Sequence, residues 1–357
     1  MDRINAAIIG QGRSGRGIHG HFFRSPENDI VNVVAVAELD PARRERALSD
    51  YPECEVTADY RDFFARKDID IVVNSTYSSD HYAITKDLLE HGMNVIVEKP
   101  FARNRFECDD LIRIAKEKGL VLAVFQQSFL TTFYEESRKV MASGVIGEVL
   151  QIDITYSGFA RRWDWQTTQM RMGGGIYNTG PHPIGLALGF LDFDERTRVA
   201  FSKLATTELS SGDSDDYAKI ILEAPGKPVV DIEVNSNDAF AAGQVKFLGT
   251  KGTYRCTIDN YEMKYIAEGE NVPRPLTLAP LRDENGRPAY CSENLKTHDE
   301  QGAYVGNPFK KGTETFYQMI YDRLKFGKPM QITPEQAAMI VGVIETVHAE
   351  NPLPRKF

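Results

Sequence analysis

Cysteine is scarce. The four in 357 residues (Cys54, Cys108, Cys256, Cys291) show no C-x-x-C spacing. That argues against a disulfide framework and suits a reducing cytoplasm, where we expect the protein to reside. Histidine is also sparse, at seven. His19-x-His21 is the closest pair, and with no further ligand beside it no metal is expected. No apolar run approaches the ~18 residues of a membrane span, and no signal-like segment precedes the glycine-rich turn at residue 10. Positive charge is in deficit, 42 Lys and Arg against 51 Asp and Glu, for a net charge of −9. The short clusters Arg43-Arg44 and Arg161-Arg162 make no basic stripe, so nucleic acid is not an expected partner. An acidic, soluble, globular chain remains, long enough for two cores.

Strands and helices alternate through the first 125 residues. Apolar runs at 6–9, 31–37, 70–74, 94–100 and 120–125 alternate with helical patterns at 15–24, 41–50, 59–65, 81–91 and 105–118. This predicts an α/β domain over 1–125, a doubly wound parallel sheet of Rossmann type. A helix at 133–143 then leads to strands at 147–156, 198–206, 216–222, 228–235, 245–248 and 252–259, joined by turns such as Gly226-Lys-Pro. Strands without intervening helices predict a second, α+β domain over 126–357, on an open and mainly antiparallel sheet. Residues 268–307 read as loops. Helices at 313–326 and 334–349 close the chain, the last able to pack back on the first domain.

Three stretches carry chemistry. Gly10-Gln11-Gly12-Arg13-Ser14-Gly15 follows a strand and opens a helix, the G-x-G-x-x-G pattern whose glycines give a tight turn, room for a pyrophosphate and close helix packing. Glu38 ends the second strand, where a carboxylate binds a ribose diol and repels a 2′-phosphate. The expected cofactor is therefore NAD rather than NADP, although Arg43 and Arg44 are groups that could accommodate that phosphate. Ser75 and Thr76, at the end of the third strand, can line a pyrophosphate and ribose, and are equally ordinary turn formers. His81 opens the next helix. The run Val95-Ile96-Val97-Glu98-Lys99-Pro100 stops a buried strand at a lysine, where open parallel sheets place their ligands.

Further on, Arg161-Arg162-Trp163-Asp164-Trp165 precedes Gly173-Gly174-Gly175 and a segment ending at His182. Tryptophans beside arginines suit a polyhydroxylated ligand, and suit loop anchoring equally well. Asn178 and His182 stand four apart and would share one face of a helix, but Pro181 and Pro183 interrupt its start.

Taken together, the glycine turn, Glu38, Glu98-Lys99-Pro100, Gly147-Glu148-Val149 and the glycines before His182 resemble the Gfo/Idh/MocA oxidoreductase family, relatives of glucose–fructose oxidoreductase and inositol dehydrogenase. The resemblance spans essentially the whole chain. It implies catalytic roles for Lys99 and His182, with Asn178 beside them, and a cis Lys99–Pro100 bond. It implies that Gly10, Gly12, Arg13, Ser14, Gly15, Glu38, Ser75, Thr76, His81, Glu98, Lys99 and Gln126 hold the dinucleotide. Lys99, Arg162, Trp163, Trp165, Asn178 and His182 would face a sugar, cyclitol or glycoside oxidised at a secondary hydroxyl. It further implies a homodimer or homotetramer formed through the second sheet. Two departures stand out. Asn178 occupies a position where the family usually has Asp, and Gln126-Gln127-Ser128-Phe129 replaces an Asn and an Arg before the Phe. Redox-neutral NAD-dependent elimination or epimerisation, and a catalytically silent NAD or sugar sensor, are the alternative readings.

Overall fold

The computed structural model describes residues 3–241 and 243–357. Six short apolar segments pair in parallel: β1 (Ile4–Ile9), β2 (Val31–Ala37), β3 (Glu55–Thr57), β4 (Ile71–Asn74), β5 (Val95–Val97) and β6 (Leu122–Val124). Their order is β3-β2-β1-β4-β5-β6, so the strand order reverses between β1 and β4. Val72, Val95, Ile96 and Val97 are fully buried, as expected for strands covered on both faces. Gly15–His19 and α1 (Gly20–Phe23) follow β1, α2 (Pro41–Asp50) follows β2, and α3 (His81–Glu90) and α4 (Arg105–Lys118) follow β4 and β5. Asp40 caps α2 through the Ala42 and Arg43 N–H groups, and Gly119, at φ +67°, ends α4.

After α5 (Thr132–Ser143), α6 (Gly175–Asn178) and α7 (Pro181–Phe190) lie between the first two strands of the second sheet. That sheet comprises β7 (Val149–Ser157), β8 (Arg198–Ala205), β9 (Tyr217–Glu223), β10 (Val229–Asn235), β11 (Val245–Gly249), β12 (Gly252–Cys256), β13 (Asn260–Tyr265) and β14 (His298–Ala303). The order is β14-β13-β12-β11-β7-β10-β9-β8, with β7 and β10 parallel and the other pairs antiparallel. Alternation is clear in β9, where Ala218, Ile220 and Leu222 are buried against α7 and its neighbours. Truncating a core residue such as Ile220 or Ile232 to Ala costs ~2–5 kcal/mol. Leu150, Phe201 and Val229 are exposed on strands of this sheet.

Two helices close the chain, α8 (Pro308–Phe326) and α9 (Pro334–Glu350). From α8, Phe316, Tyr317 and Ile320 join Ile4, Ile8, Phe22 and Phe23 in the core of the first sheet. Ala337, Ala338 and Val341 of α9 pack with Val95, Val97 and Leu111 of the first domain. Ile340, Ile344 and Val347 of the same helix pack with the second sheet.

The differences from expectation are local. Strand β3 is three residues on the sheet edge, too short to show a period. The helix expected at 59–65 is a 3₁₀ turn, Tyr60–Ala65. Strands β13 and β14 lie where a strand was not expected and where loops were. The β14 sequence His-Asp-Glu-Gln-Gly-Ala carries no apolar alternation, and the strand exists by backbone pairing to β13. Helix α8 starts earlier than expected because Asn307 caps it, accepting from the Lys310 N–H at 3.0 Å.

Candidate active site

The glycine turn leaves β1 at the switch point. Gly10 has φ +90°, and a Cβ there would fall 2.8 Å from the Ser75 carbonyl oxygen; a Cβ on Gly15 would fall 1.9 Å from the Gly10 carbonyl oxygen. Both positions therefore demand glycine. At Gly12 the space is open, with only Arg43 Nη1 at 3.9 Å. Glu38 reaches back from the end of β2. Its Oε2 accepts from the Gln11 N–H at 2.7 Å and its Oε1 from the Asp40 N–H at 2.9 Å. Arg43 Nη1 lies 3.8 Å from the same carboxylate. Arg44 instead donates to the Glu38 and Leu39 carbonyls at 2.6 and 2.9 Å. Ser75 Oγ is turned inward, donating to the Ile9 carbonyl at 2.7 Å, and Thr76 Oγ1 donates to Asn74 Oδ1 at 2.7 Å. Arg13 is exposed.

The end of β5 is held by a buried polar chain. Glu98 Oε1 accepts from Ser14 Oγ and lies 3.0 Å from His19 Nε2, while Oε2 accepts from the Lys99 N–H at 3.0 Å. His19 Nδ1 is in turn 2.6 Å from the Tyr317 hydroxyl on α8. Burial opposes ionisation of Glu98, but His19, Lys99 and Ser14 outweigh it and hold the carboxyl down to about 2. Lys99–Pro100 is cis, as the motif led us to expect. His81 is buried and its Nδ1–H donates to the Pro100 carbonyl at 2.7 Å, fixing the turn rather than opening towards solvent. Burial pushes the Lys99 ammonium below its ordinary range, Glu98 opposes this, and the Arg13 and Arg162 guanidiniums add to it.

Across the cleft, Gly173 to Pro183 form two helices rather than one. Gly174, at φ +109°, lets the chain turn over Asp215, whose Oδ2 accepts from the Ile176 N–H at 2.8 Å. Helix α6 is a single turn. Thr179 and Gly180 break it, and Pro181 begins α7, so Asn178 and His182 lie on successive helices. Lys99 Nζ crosses to donate to the Asn178 carbonyl at 2.6 Å. Asn178 Oδ1 accepts from Gln166 Nε2 at 2.9 Å, and Gln166 Oε1 accepts from Arg162 Nη2. Among the described residues His182 Nδ1 is enclosed without a partner, and burial, with Lys99 adding, pushes the imidazole down to about 3. Trp165 meets the Tyr77 ring edge-on at 4.9 Å, and the Arg171 guanidinium sits 4.8 Å from the centre of that ring. Trp163 is 76% exposed.

Lys99, Asn178, His182 and Arg162 thus converge, with Glu98 and Ser14 behind Lys99, while Trp165 packs on Tyr77. Sequence reasoning missed Gln166 and Tyr317. It weighed His19 as a possible metal ligand, whereas the ring is bonded to Glu98 and Tyr317. No local pattern marks Tyr317, which comes from residues nearly at the other end of the chain.

A parallel sheet with its glycine turn and acid at the switch point, facing a polar cleft closed by a second sheet, defines a two-domain dinucleotide-dependent oxidoreductase. Residues 4–126 match the model described as an oxidoreductase family with an NAD-binding Rossmann fold, and residues 134–255 match the GFO/IDH/MocA C-terminal domain. The chain belongs to the Gfo/Idh/MocA oxidoreductase family. It is 25% identical over 352 residues to scyllo-inositol 2-dehydrogenase (NADP(+)) IolW of Bacillus subtilis (strain 168), covering 97% of this chain and 93% of the relative. Among solved structures it is similar to KijD10, a 3-ketoreductase from Actinomadura kijaniata in complex with NADP and TDP-benzene. The TM-score is 0.78 at 15% identity, over 98% of both chains. It is also similar to GenD2 from gentamicin A biosynthesis in complex with NAD, with a TM-score of 0.73, 18% identity, and 98% and 94% of the chains covered. Among the described residues no helix is long and apolar enough to cross a membrane.

Proposed function

We propose that the protein is an NAD-dependent dehydrogenase acting on a secondary hydroxyl of a sugar, cyclitol or glycoside. The observation that carries this reading is Lys99 reaching across the cleft to Asn178, with the neutral His182 imidazole near enough to feel the Lys99 ammonium. The residues present fit a dinucleotide. The Gln11 side-chain amide is buried with neither polar atom bonded, Gln126 Oε1 is likewise enclosed and unpartnered, and the backbone at Gly12 faces open space. The Gly10–Gly15 turn with Arg13 and Ser14 would hold the pyrophosphate, and Glu38 the adenosine ribose. Bound nicotinamide supplies the two-electron acceptor.

This chain's residues do the rest. Lys99 Nζ donates a hydrogen bond to the reacting oxygen and orients the carbinol. His182 is neutral at physiological pH, and with Nδ1 enclosed its Nε2 is the nitrogen that takes the hydroxyl proton. Glu98 fixes the Lys99 backbone, and Asn178 anchors the ammonium through its carbonyl. The preference for NAD rests on Glu38. Relatives are named with either cofactor, but the carboxylate here would meet a 2′-phosphate as a like charge, and its Arg43 neighbour is already engaged with it. Leu150, Phe201 and Val229, exposed on the second sheet, support assembly of two or four copies through that surface. The test is a polyol and glycoside panel read at 340 nm with NAD and NADP. We expect turnover with NAD that Lys99→Ala and His182→Ala each reduce by at least ~10²-fold. Near-full turnover in both variants overturns the mechanism.

A further inference from the structure

Where the family resemblance leads one to expect a carboxylate, the structure determines which end of the Asn178 amide is free. A guanidinium has donors alone, so Gln166 must turn Oε1 towards Arg162. Its Nε2 is then the donor to Asn178, which must present Oδ1 to it. The Asn178 Nδ2 group is left without a protein partner among the described residues and is not enclosed. An aspartate would offer the cleft an acceptor; this chain offers two N–H donors.

The surrounding charge points the same way. Lys99 and Arg162 are near enough to repel each other, and Arg161 adjoins Arg162 in sequence. Of the nearby acids, Glu98 is taken by Ser14, His19 and the Lys99 N–H, and Asp164 pairs with Arg162 at 3.0 Å. Asp215 and Asp216 line the same cavity as Arg162, Gln166 and Asn178; Asp215 is 2% exposed and is pushed up to about 7 by burial, and Asp216 is taken by the Thr207 N–H and Oγ1 at 2.8 and 2.6 Å. In a chain of net charge −9, this corner gathers cations and donors.

We propose that the substrate is a sugar acid, carrying a carboxylate next to the carbon that is oxidised, with that carboxylate accepting from Asn178 Nδ2 and Arg162. The proposal rests on the dehydrogenase reading above. The carboxylate is unchanged by the reaction. The neighbouring carbinol becomes a ketone, losing a hydride to the oxidised nicotinamide and a proton to His182. Gln166 is then a positioning residue, acting through the amide it orients.

Matched pairs test this on the full-length enzyme with saturating NAD: gluconate against glucitol, galactonate against galactitol, mannonate against mannitol, read at 340 nm. At least one acid is expected to exceed its neutral counterpart by roughly 10- to 100-fold in kcat/KM, the size of one charge-assisted hydrogen bond. Asn178→Asp keeps the bond from Gln166 but turns an acceptor on the carboxylate, and is expected to abolish that ratio, mainly through KM. Gln166→Glu leaves Asn178 intact, yet an acceptor-only neighbour draws Nδ2 inward and turns Oδ1 outward. It should reproduce the same loss. Neutral sugars turned over as well as or better than every acid overturn the proposal and leave the dehydrogenase reading standing, as does a ratio unchanged in both variants. Calorimetric binding of an acid to the enzyme with NAD, lost in Asn178→Asp but without turnover, supports the acid site and overturns the dehydrogenase reading. No binding and no turnover of any acid overturns the proposal.

Discussion

Replacing Glu98 with glutamine should reveal how much of the protein's stability lies in the charge behind Lys99. The carboxylate accepts from Ser14 and His19 on one oxygen and from the Lys99 N–H on the other. A glutamine keeps a single acceptor, so one side of the amide must face a donor with a donor. The carboxyl is held at about 2 against an ordinary 4.5. At about 1.4 kcal/mol per unit, that difference corresponds to about 3 kcal/mol of folding stability. The sign follows from a depressed carboxyl. The contribution is fully present above pH 4.5 and is lost as pH falls towards 2. Glu98→Gln is therefore expected to be less stable than the parent by about 3 kcal/mol at pH 7, with the gap shrinking as pH falls below about 4.5. Urea unfolding of both proteins at pH 7, 5.5, 4 and 3, followed by circular dichroism, measures it, and comparing the two cancels the titration of every other acid. A gap that stays constant from pH 7 to 3 would refute the reasoning, because it would mean Glu98 titrates alike in the folded and the unfolded protein.

Two further outcomes are expected. Because burial and Lys99 push the His182 imidazole down to about 3, the kcat/KM profile on an identified substrate should carry no limb due to His182 between pH 8 and 5, whereas an ordinary imidazole would give one near 6.5. A limb at 6.5 that disappears in His182→Asn would contradict the assignment. Gly174→Ala places a Cβ 2.2 Å from Asp215 Oδ1 at φ +109°, and should cost about 3 kcal/mol or more in chemical denaturation. Adding Asp215→Ala makes room and should recover part of that loss, so a strictly additive double mutant would show that the clash is not the cause.

The first sheet was legible because its strands are short apolar runs, and β1, β2 and β5 end at Gly10, Glu38 and Glu98-Lys99-Pro100, where the cofactor motif lies. Lys99, Glu98 and Glu38 could be placed for that reason. The second sheet was legible through β12, where apolar alternation persists, and lost at β14, whose residues are polar and whose position is set by its neighbour. Within the site, the four-residue spacing would put Asn178 and His182 on one helical face, and Pro181 and Pro183 already spoke against a single helix. Thr179 and Gly180 separate them, and the orientation of Asn178 depends on Gln166, twelve residues back, which a pattern search along the chain has no reason to select. Ser75 and Thr76 sit where expected but direct their hydroxyls into the turn itself, bonding Ile9, Gly10 and Asn74. The His19–Tyr317 contact joins the first turn to the penultimate helix, a pairing without any local signature.

Helix α9 has one more consequence, for the order in which the molecule can be built. Ala337, Ala338 and Val341 cover strands of the first sheet, and α8 supplies Phe316 and Tyr317 to its other core. During synthesis those strands emerge first, and the helices that cover them follow only after the whole second sheet. Until then the nascent nucleotide domain carries bare apolar surface on both sides. Its two cores close only when the last two helices arrive, at the same moment as those of its partner domain.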